Sequence, residues 1–174
     1  MTKWSIDGAH TDVSFAVKHM GLLNVKGNFA EITGEASTDD NGVLTGVTAT
    51  IQVESVTTRN KDRDGHLLGE DFFHAAKFPT ITFKSKSVKV LTANEYEITG
   101  DLTIKGISKQ VVLKTKALDA IVDIYGLNRM AFEVKTVINR MDYDIKWNQT
   151  IDTGNGLLVG TDIKIAIEGQ MTSQ

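Results

Sequence analysis

Residues 47–53 read VTATIQV, and their apolar members Val47, Ala49, Ile51 and Val53 stand at every second position. Alternate residues of a β-strand point to the same face, so this period predicts a strand with one apolar and one polar face. The same period of two recurs in residues 13–17, 81–85, 96–104, 111–113, 130–138 and 163–167. We therefore predict an all-β protein in which strands fill most of the chain.

Residues that accept a positive φ angle separate these stretches and predict short turns. They are Asn41-Gly42, Ala93-Asn94, Gly106 and Gly154-Asn155-Gly156. Successive strands joined by short turns form either a sandwich or an antiparallel barrel, and closure into a barrel removes the exposed edges. The patterned stretches suggest strands of about 9–14 residues, longer than the common 5–6. This length favours the barrel.

One segment, residues 59–77, breaks the period of two. Its apolar residues are spaced as they would be on one side of a short helix, because they fall within two successive turns. They are Leu67, Leu68, Phe72 and Phe73. Phe78-Pro79 should end the helix, since the residue before a proline disfavours helical backbone. We expect a short helical insertion around residues 64–77, with Asp64 capping its start.

The composition is that of one soluble domain, residues 1–174, because a chain of this length can bury a core of its own. A net charge of −3 and a pI of about 5.8 provide no broad cationic field for nucleic acid. The chain has no cysteine, which excludes disulfides and thiolate chemistry. No stretch approaches the roughly 20 apolar residues of a membrane span. We expect a protein that is not embedded in a membrane and that touches one only transiently.

The opening residues, MTKW, lead directly into patterned sequence and leave no room for a signal peptide. This predicts a cytoplasmic location, with export of a longer precursor left open. A homodimer is also left open.

Polar residues of the 59–77 segment suggest two kinds of chemistry. His66, Glu70 and His74 stand four residues apart, as ligands along a helix would, but neighbouring glycines weaken such a helix and we expect no metal. His66 with Asp64 resembles a general base oriented by a carboxylate. Asp64 is better explained as a helix cap, and the chain has no nucleophile motif. We therefore expect no catalytic residue.

The alternation instead points a set of apolar side chains to one side, where they should line the barrel interior. This set comprises Phe15, Val17, Phe29, Ile51, Val53, Ile81, Phe83, Leu102, Ile104, Leu113, Phe132 and Val134. Such residues either fill a core or line a pocket for one ligand, and periodicity does not separate the two. Long strands favour a long, narrow pocket that suits a long, narrow ligand.

The whole chain resembles the YceI-like family of lipocalin-like polyisoprenoid-binding proteins. The most specific match is residues 55–85, SVTTRNKDRDGHLLGEDFFHAAKFPTITFKS, which combine an arginine-aspartate-x-histidine-leucine motif, a diphenylalanine and a proline-x-isoleucine-x-phenylalanine motif. Further matches are WSID at 4–7, GNF at 27–29, GDLTIKG at 100–106, YGLNR at 125–129, INRMDY at 138–143 and VGTD at 159–162. The chain departs from the family at His74, where aspartate is common, and at Asp144, where glycine is usual.

The resemblance implies an eight-stranded antiparallel lipocalin-like barrel whose pore takes a polyisoprenoid chain, such as the tail of a quinone or polyprenyl phosphate, or another long amphiphile. It implies no catalytic activity and no cofactor other than this bound lipid. We expect non-catalytic binding, storage or transport of such a chain. In this hypothesis Leu67, Phe72, Phe73 and Phe78 close one end, and the head group meets Arg59, Arg63, His66 or Arg140.

Two alternatives from other classes stay open. A small isomerase or hydrolase would use His66 and Asp64 on a lipid substrate. A stress-related structural barrel would hold no ligand, because its own side chains would fill the interior.

Overall fold

The structure, a computed structural model, describes residues 1–148 and 159–173, so the expected turn at Gly154-Asn155-Gly156 lies outside the described residues. Its strands are β1 Thr2–Ile6, β2 Asp12–His19, β3 Leu23–Phe29, β4 Ile32–Thr38, β5 Leu44–Gln52, β6 Val56–Thr57, β7 Thr80–Val90, β8 Glu95–Ile104, β9 Ile107–Ala117, β10 Ile121–Val122, β11 Asn128–Asn139 and β12 Val159–Ser173. The helix α1 spans Lys61–Leu68, and 3-10 turns span Gly8–His10, Val53–Ser55 and Arg140–Tyr143.

The strands form a single antiparallel sheet that closes on itself. In order around the ring, the neighbours are β11, β9, β8, β7, β5, β4, β1 and β12. The ring closes because β12 pairs with β11 along its length, from Asn128↔Ser173 to Asn139↔Asp162. The predicted eight-stranded antiparallel barrel is confirmed.

Three positions in the barrel are occupied by strands that are interrupted midway. β12 pairs with β1 near its end and with β2 before that, because the Gly8–His10 turn separates β1 from β2. The next position in the ring is shared by β3 and β4, and the position after it by β5 and β6. This follows because β4 pairs with β5 and β3 pairs with β6. Each interruption bends the wall without removing a strand from the barrel.

The alternation of buried residues follows the predicted period. In β8, Tyr96, Ile98, Gly100, Leu102 and Ile104 are buried, while the residues between them are partly exposed. One face of each such strand therefore points into the barrel and the other to solvent.

The helix is shorter than expected and begins earlier. Asn60, rather than Asp64, caps it, since the Asn60 side chain accepts a hydrogen bond from the Arg63 amide. The helix ends at Gly69, so the predicted span of 64–77 is wrong beyond Leu68. Glycine at this position disfavours continuation of the helix, and the following residues form turns.

Two of the departures from the family fall on left-handed backbone. His74 has φ +51° and Asp144 has φ +57°. Aspartate and asparagine tolerate this conformation better than most residues, and glycine adopts it freely. Asp144 therefore has a backbone that aspartate tolerates and that glycine would adopt without strain.

The two ends of the barrel differ. At the end where β1 and β8 begin, Trp4, Tyr96 and Met130 are each at most 7% exposed and lie in the interior. The opposite end, which we call the mouth, is formed by the β2–β3 hairpin at residues 19–23, α1 with the residues up to Phe73, and residues 140–147. The mouth is where chain interruptions and turns, rather than paired strands, surround the interior.

Asp7, at the corner between β1 and β2, ties several parts of the barrel together. Its carboxylate accepts hydrogen bonds from the Gln170 amide (2.9 Å), His10 Nδ1 (2.8 Å) and Arg129 Nη1 (3.3 Å). The bond from Gln170, followed by that from His10, lowers the pKa of Asp7 from 3.8 to about 2. The corner is thus held to the last strand and to the start of β11 by one carboxylate.

Acid should therefore weaken the fold through Asp7. A carboxylate with a lowered pKa stabilises the fold fully above its unfolded pKa, and this contribution is lost as the pH falls from about 4 through about 2. We expect Asp7→Asn to lower the free energy of unfolding by about 1 kcal/mol at pH 6 and to flatten its dependence on pH in that window. Urea unfolding at pH 6, 4 and 2.5 measures both effects. The exposed Asp119→Asn is the control, and an equal pH slope in wild type and Asp7→Asn would refute the assignment.

Candidate functional site

The barrel encloses a cavity of about 390 Å³. Its wall comes from the inward residues of the strands, such as Val47, Ala49 and Ile51 on β5 and Ile163 and Ile165 on β12. Sites for small molecules commonly have volumes of about 300–1,000 Å³ and mainly apolar walls. The interior is therefore not filled by its own side chains.

The burial of the inward residues supports the same conclusion. Phe15, Val17, Phe132 and Ile165 point into the barrel, yet they are only partly buried. Side chains in a packed core lose almost all contact with solvent, because interiors are packed as densely as organic crystals. Partial exposure on the inner face is what an accessible cavity produces.

The structure places most of the predicted lining residues on this cavity. They are Phe15, Val17, Phe29, Ile51, Leu67, Phe72, Phe73, Ile81, Phe83, Leu102, Ile104, Leu113, Phe132 and Val134. Phe73 makes an edge contact with Phe29 (5.9 Å between ring centroids), and Phe72 packs on Trp147 (5.5 Å). These contacts bring the residues that follow α1 over the mouth.

Val53 and Phe78 lie elsewhere, which corrects the expectation for both. β5 ends at Gln52, and Val53 begins a 3-10 turn in which it is 1% exposed and donates its amide to the Pro79 carbonyl. The Phe78 ring packs beside Gly106, with the His74 ring at 5.9 Å. Val53 therefore belongs to the packed core, and Phe78 supports the outside of the mouth.

Sequence reasoning missed several residues of the wall. Ile163, Ile165 and Ile167 line the cavity, and their period of two on β12 is the signal that would have found them. Tyr143, Ile145 and Trp147 also line it. These three follow β11 in a 3-10 turn and a loop, where no strand period identifies the inner side.

The basic candidates separate into two groups. Arg63, His66 and Arg140 line the cavity. Arg59 is exposed, has a left-handed backbone with φ +63°, and is not among the described residues that line the cavity, so it lies away from the site. Arg59 is only four residues from Arg63 in sequence, but the turn before α1 directs the Arg59 side chain away from the cavity.

Arg140 is 3% exposed and holds the mouth together. Its guanidinium donates to the carbonyls of Ile145 (2.7 Å), Trp147 (3.0 Å), Val159 (3.1 Å) and Gly160 (2.8 Å). Burial lowers the pKa of Arg140, but a guanidinium stays protonated in proteins. The loop after β11 and the start of β12 are thus joined around a buried positive charge.

Tyr143, in the same turn, is also buried. Burial, with Asp142 nearby, raises the pKa of Tyr143 to about 12, so its hydroxyl is protonated at neutral pH. Within the described residues this hydroxyl has no hydrogen-bond partner. It contributes a neutral phenol to the wall near the mouth.

The carboxylate beside His66 is Asp71, so the His66–Asp64 pair of the enzyme alternative does not form. His66 Nε2 lies 2.9 Å from Asp71 Oδ2, while Asp64 accepts from the amide and the hydroxyl of Thr58. The His66 ring also makes edge contacts with Phe72 (4.9 Å) and Trp147 (5.0 Å). Asp64 therefore stabilises the turn before α1 and does not orient a base.

The potential metal ligands do not share one helix side. His66 is on α1, but Glu70 and His74 follow its end at Gly69. Among the residues that the structure describes, no three histidine, cysteine or acidic side chains are grouped as metal ligands.

The closed barrel, its apolar cavity and its basic mouth accompany a sequence that matches a known family. The model of the YceI-like domain matches residues 4–171. The chain belongs to the YceI-like family. This confirms the resemblance in its sequence.

Relatives and solved structures agree with this membership. The UPF0312 protein SA2479 of Staphylococcus aureus is 34% identical, over 99% of this chain and 98% of its own. The crystal structure of a Campylobacter jejuni YceI protein is 33% identical, with a TM-score of 0.77 over 97% of this chain and 96% of its own. A polyisoprenoid binding domain from Saccharophagus degradans is 15% identical, with a TM-score of 0.71 over 100% of both chains, and shares the fold.

The described part of the chain contains no helix that is both long and apolar enough to cross a membrane. Its one α-helix has eight residues, of which four are charged at neutral pH: Lys61, Asp62, Arg63 and Asp64.

Proposed function

We propose that this protein binds one long apolar chain, a polyisoprenoid or a similar amphiphilic lipid, non-covalently inside the barrel, and that it stores or carries this lipid without altering it. The observation that carries the proposal is the cavity of about 390 Å³ with its apolar strand residues. The description of the Saccharophagus degradans domain as polyisoprenoid-binding supports the same class of ligand.

The shape of the interior favours an extended ligand. The lining residues of β12 run from Val159 to Met171, or roughly 40 Å along the strand, which a tilt of 35–45° reduces to about 30 Å along the barrel axis. A tail that places about twelve methylene groups in the cavity gains on the order of 10 kcal/mol. This gain is comparable to the cost of association, so apolar burial alone can give useful affinity.

The mouth is the expected route of entry. It combines turns and a short helix with rings that pack edge to face, and these elements have few backbone hydrogen bonds to the strands beside them. The opposite end is closed by buried Trp4 and Tyr96, with Met130 lining the cavity there. The tail should therefore enter at the mouth and leave its head group there.

Native mass spectrometry of protein purified from cells, followed by organic extraction, tests the proposal. We expect one bound lipid molecule per protein molecule, or one added ligand molecule after incubation with geranylgeraniol or hexadecanol. Protein that stays empty under both conditions would overturn the proposal and favour a structural barrel.

Catalysis is tested separately with the same ligands. We expect geranylgeraniol to be recovered chemically unchanged from wild-type protein, and His66→Ala to retain it nearly as well. Recovery of an altered product from wild type but not from His66→Ala would show instead that His66, with Asp71, acts as a catalytic pair.

A further inference from the structure

The ionisable side chains on the cavity wall are basic rather than acidic. Apart from the neutral Tyr143, they are Lys18, His19, Arg63, His66 and Arg140, and no aspartate or glutamate is among the described residues that line the cavity. The whole chain has a net charge of −3, so this basic set does not follow from composition. It is a local property of the site.

These basic residues are neighbours at the mouth. Arg140 Nε donates to the Gly160 carbonyl. Lys18 packs against the same glycine, because a Cβ atom placed on Gly160 would lie 3.1 Å from the Lys18 Cβ. Arg140 also donates to the Trp147 carbonyl, and the Trp147 ring contacts His66. Arg63 precedes His66 by three residues on α1, which places the two side chains on adjacent turns.

Part of this charge has no acidic partner. Among the described residues, neither Lys18, Arg63 nor Arg140 has a carboxylate oxygen within 4.0 Å. The nearby acids are engaged differently, because Asp71 pairs with His66 and Asp64 accepts from Thr58. These carboxylates keep their charge but are not among the described residues that line the cavity, so the charged side chains that line it are basic and lie next to apolar walls that screen them less than water does.

The basic residues differ in how many of their N–H groups remain free to bind a ligand. Arg140 commits four of its five N–H groups to backbone carbonyls and supplies charge rather than contact. Arg63 uses Nε and one Nη2 hydrogen on Thr58, which leaves three N–H groups for a ligand. Arg63 is thus the residue able to hold a head group directly, because Lys18 alternates with the inward Val17 and is exposed on the outer side of β2.

We propose that the lipid bound by this protein carries an anionic head group, a carboxylate or a phosphate, held at the mouth by Arg63 in the field of Arg140. This inference rests on the proposed function, because it assumes that the tail occupies the cavity. A charge-assisted hydrogen bond is about twice as strong as a neutral one, so the anion is preferred to an alcohol or amide on the same chain.

Chain-matched ligands test the charge of the head group. We expect dodecanoate to bind at least about tenfold more tightly than dodecanol or dodecanamide, and farnesyl phosphate more tightly than farnesol. Affinities are measured at pH 8 by the change in tryptophan fluorescence, since Trp147 lines the cavity. Raising the salt concentration should weaken binding of the anions and leave the alcohols unchanged. A preference for only one of the two anions supports the inference and identifies the carboxylate or the phosphate.

Matched variants locate the effect. Arg63→Gln should reduce severalfold the ratio of the affinity for dodecanoate to the affinity for dodecanol, both measured on the same variant. Retained binding of dodecanol by Arg63→Gln shows that the tunnel is intact. Arg59→Gln, four residues away and off the cavity, is the control and should keep the full preference.

The outcomes separate the two proposals. Equal affinity of wild type for dodecanoate and dodecanol would overturn the anionic head group and leave lipid binding standing. No binding of any of the five ligands would overturn the proposed function itself. A preference that Arg59→Gln removes as strongly as Arg63→Gln would show that the anion binds outside the cavity.

Discussion

Ile165→Trp is expected to weaken the binding of long-chain lipids by about 100-fold while leaving the barrel folded. Ile165 lines the cavity midway along β12, where it pairs with Phe15 on one side and Thr136 on the other. An indole at this position would stand across the tunnel and stop a chain from passing. Exclusion of about four methylene groups costs roughly 3 kcal/mol, which corresponds to about 100-fold in affinity.

The length of the ligand provides an internal check on this prediction. A chain short enough to end before Ile165 should lose little affinity, so octanol should be affected much less than hexadecanol. Val137→Trp adds the same ring to the outer face of β11, where Val137 is 57% exposed, and should change neither affinity. Circular dichroism and urea unfolding establish that both variants fold. Unchanged binding of hexadecanol by folded Ile165→Trp would show that the chain does not occupy this part of the interior.

Local periodicity was enough to predict the barrel wall. A period of two assigns each strand residue to one face, and antiparallel neighbours joined by short turns pair in register. For this reason Phe15, Ile81, Leu102 and Phe132 were expected inside and line the cavity. Whether that interior is open depends on the summed volumes of residues from all the strands, which no local pattern contains.

The errors fall where a local pattern continues past the end of its element. Val53 keeps the alternation of β5, but the Val53 amide bonds to Pro79 and the strand has already ended. Asp64 and Asn60 are both suitable helix caps, and only the structure shows that Asn60 takes this role while Asp64 binds Thr58. Similar ambiguity applies to the partner of His66, because Asp71 approaches it only after the helix has ended.

Arg140 is the clearest case of a residue whose role depends on long-range contacts. As a head-group candidate it rested on its residue type and on its place in the INRMDY motif, which gives no indication that it is buried. In the structure it joins two segments that are close only because β11 and β12 pair. Its contribution should therefore appear mainly in the stability of the mouth.

We expect Arg140→Leu to lower the free energy of unfolding by about 3–5 kcal/mol, the largest loss for any single substitution considered. Leucine fills part of the space, but it removes the Arg140 donor from the carbonyls of Ile145, Trp147 and Gly160, while the Val159 carbonyl keeps its bond from the Asn148 amide. An unsatisfied buried polar group costs about 1–3 kcal/mol, and some of these carbonyls can reach water after local rearrangement, which limits the total. Urea unfolding measures the loss directly.

Arg140→Lys separates hydrogen bonding from charge. Lysine retains the positive charge but places its donors at one point, so it can satisfy only some of the four carbonyls and should recover part of the lost stability. Hydrogen exchange adds a local readout, because amides of residues 140–147 should exchange faster in both variants than in wild type, whereas amides of β5, across the barrel from β11 and β12, should be unchanged. A change below about 1 kcal/mol in Arg140→Leu would mean that the loop after β11 is held by other contacts. The head group of a bound lipid would then meet a mouth that the buried guanidinium does not organise.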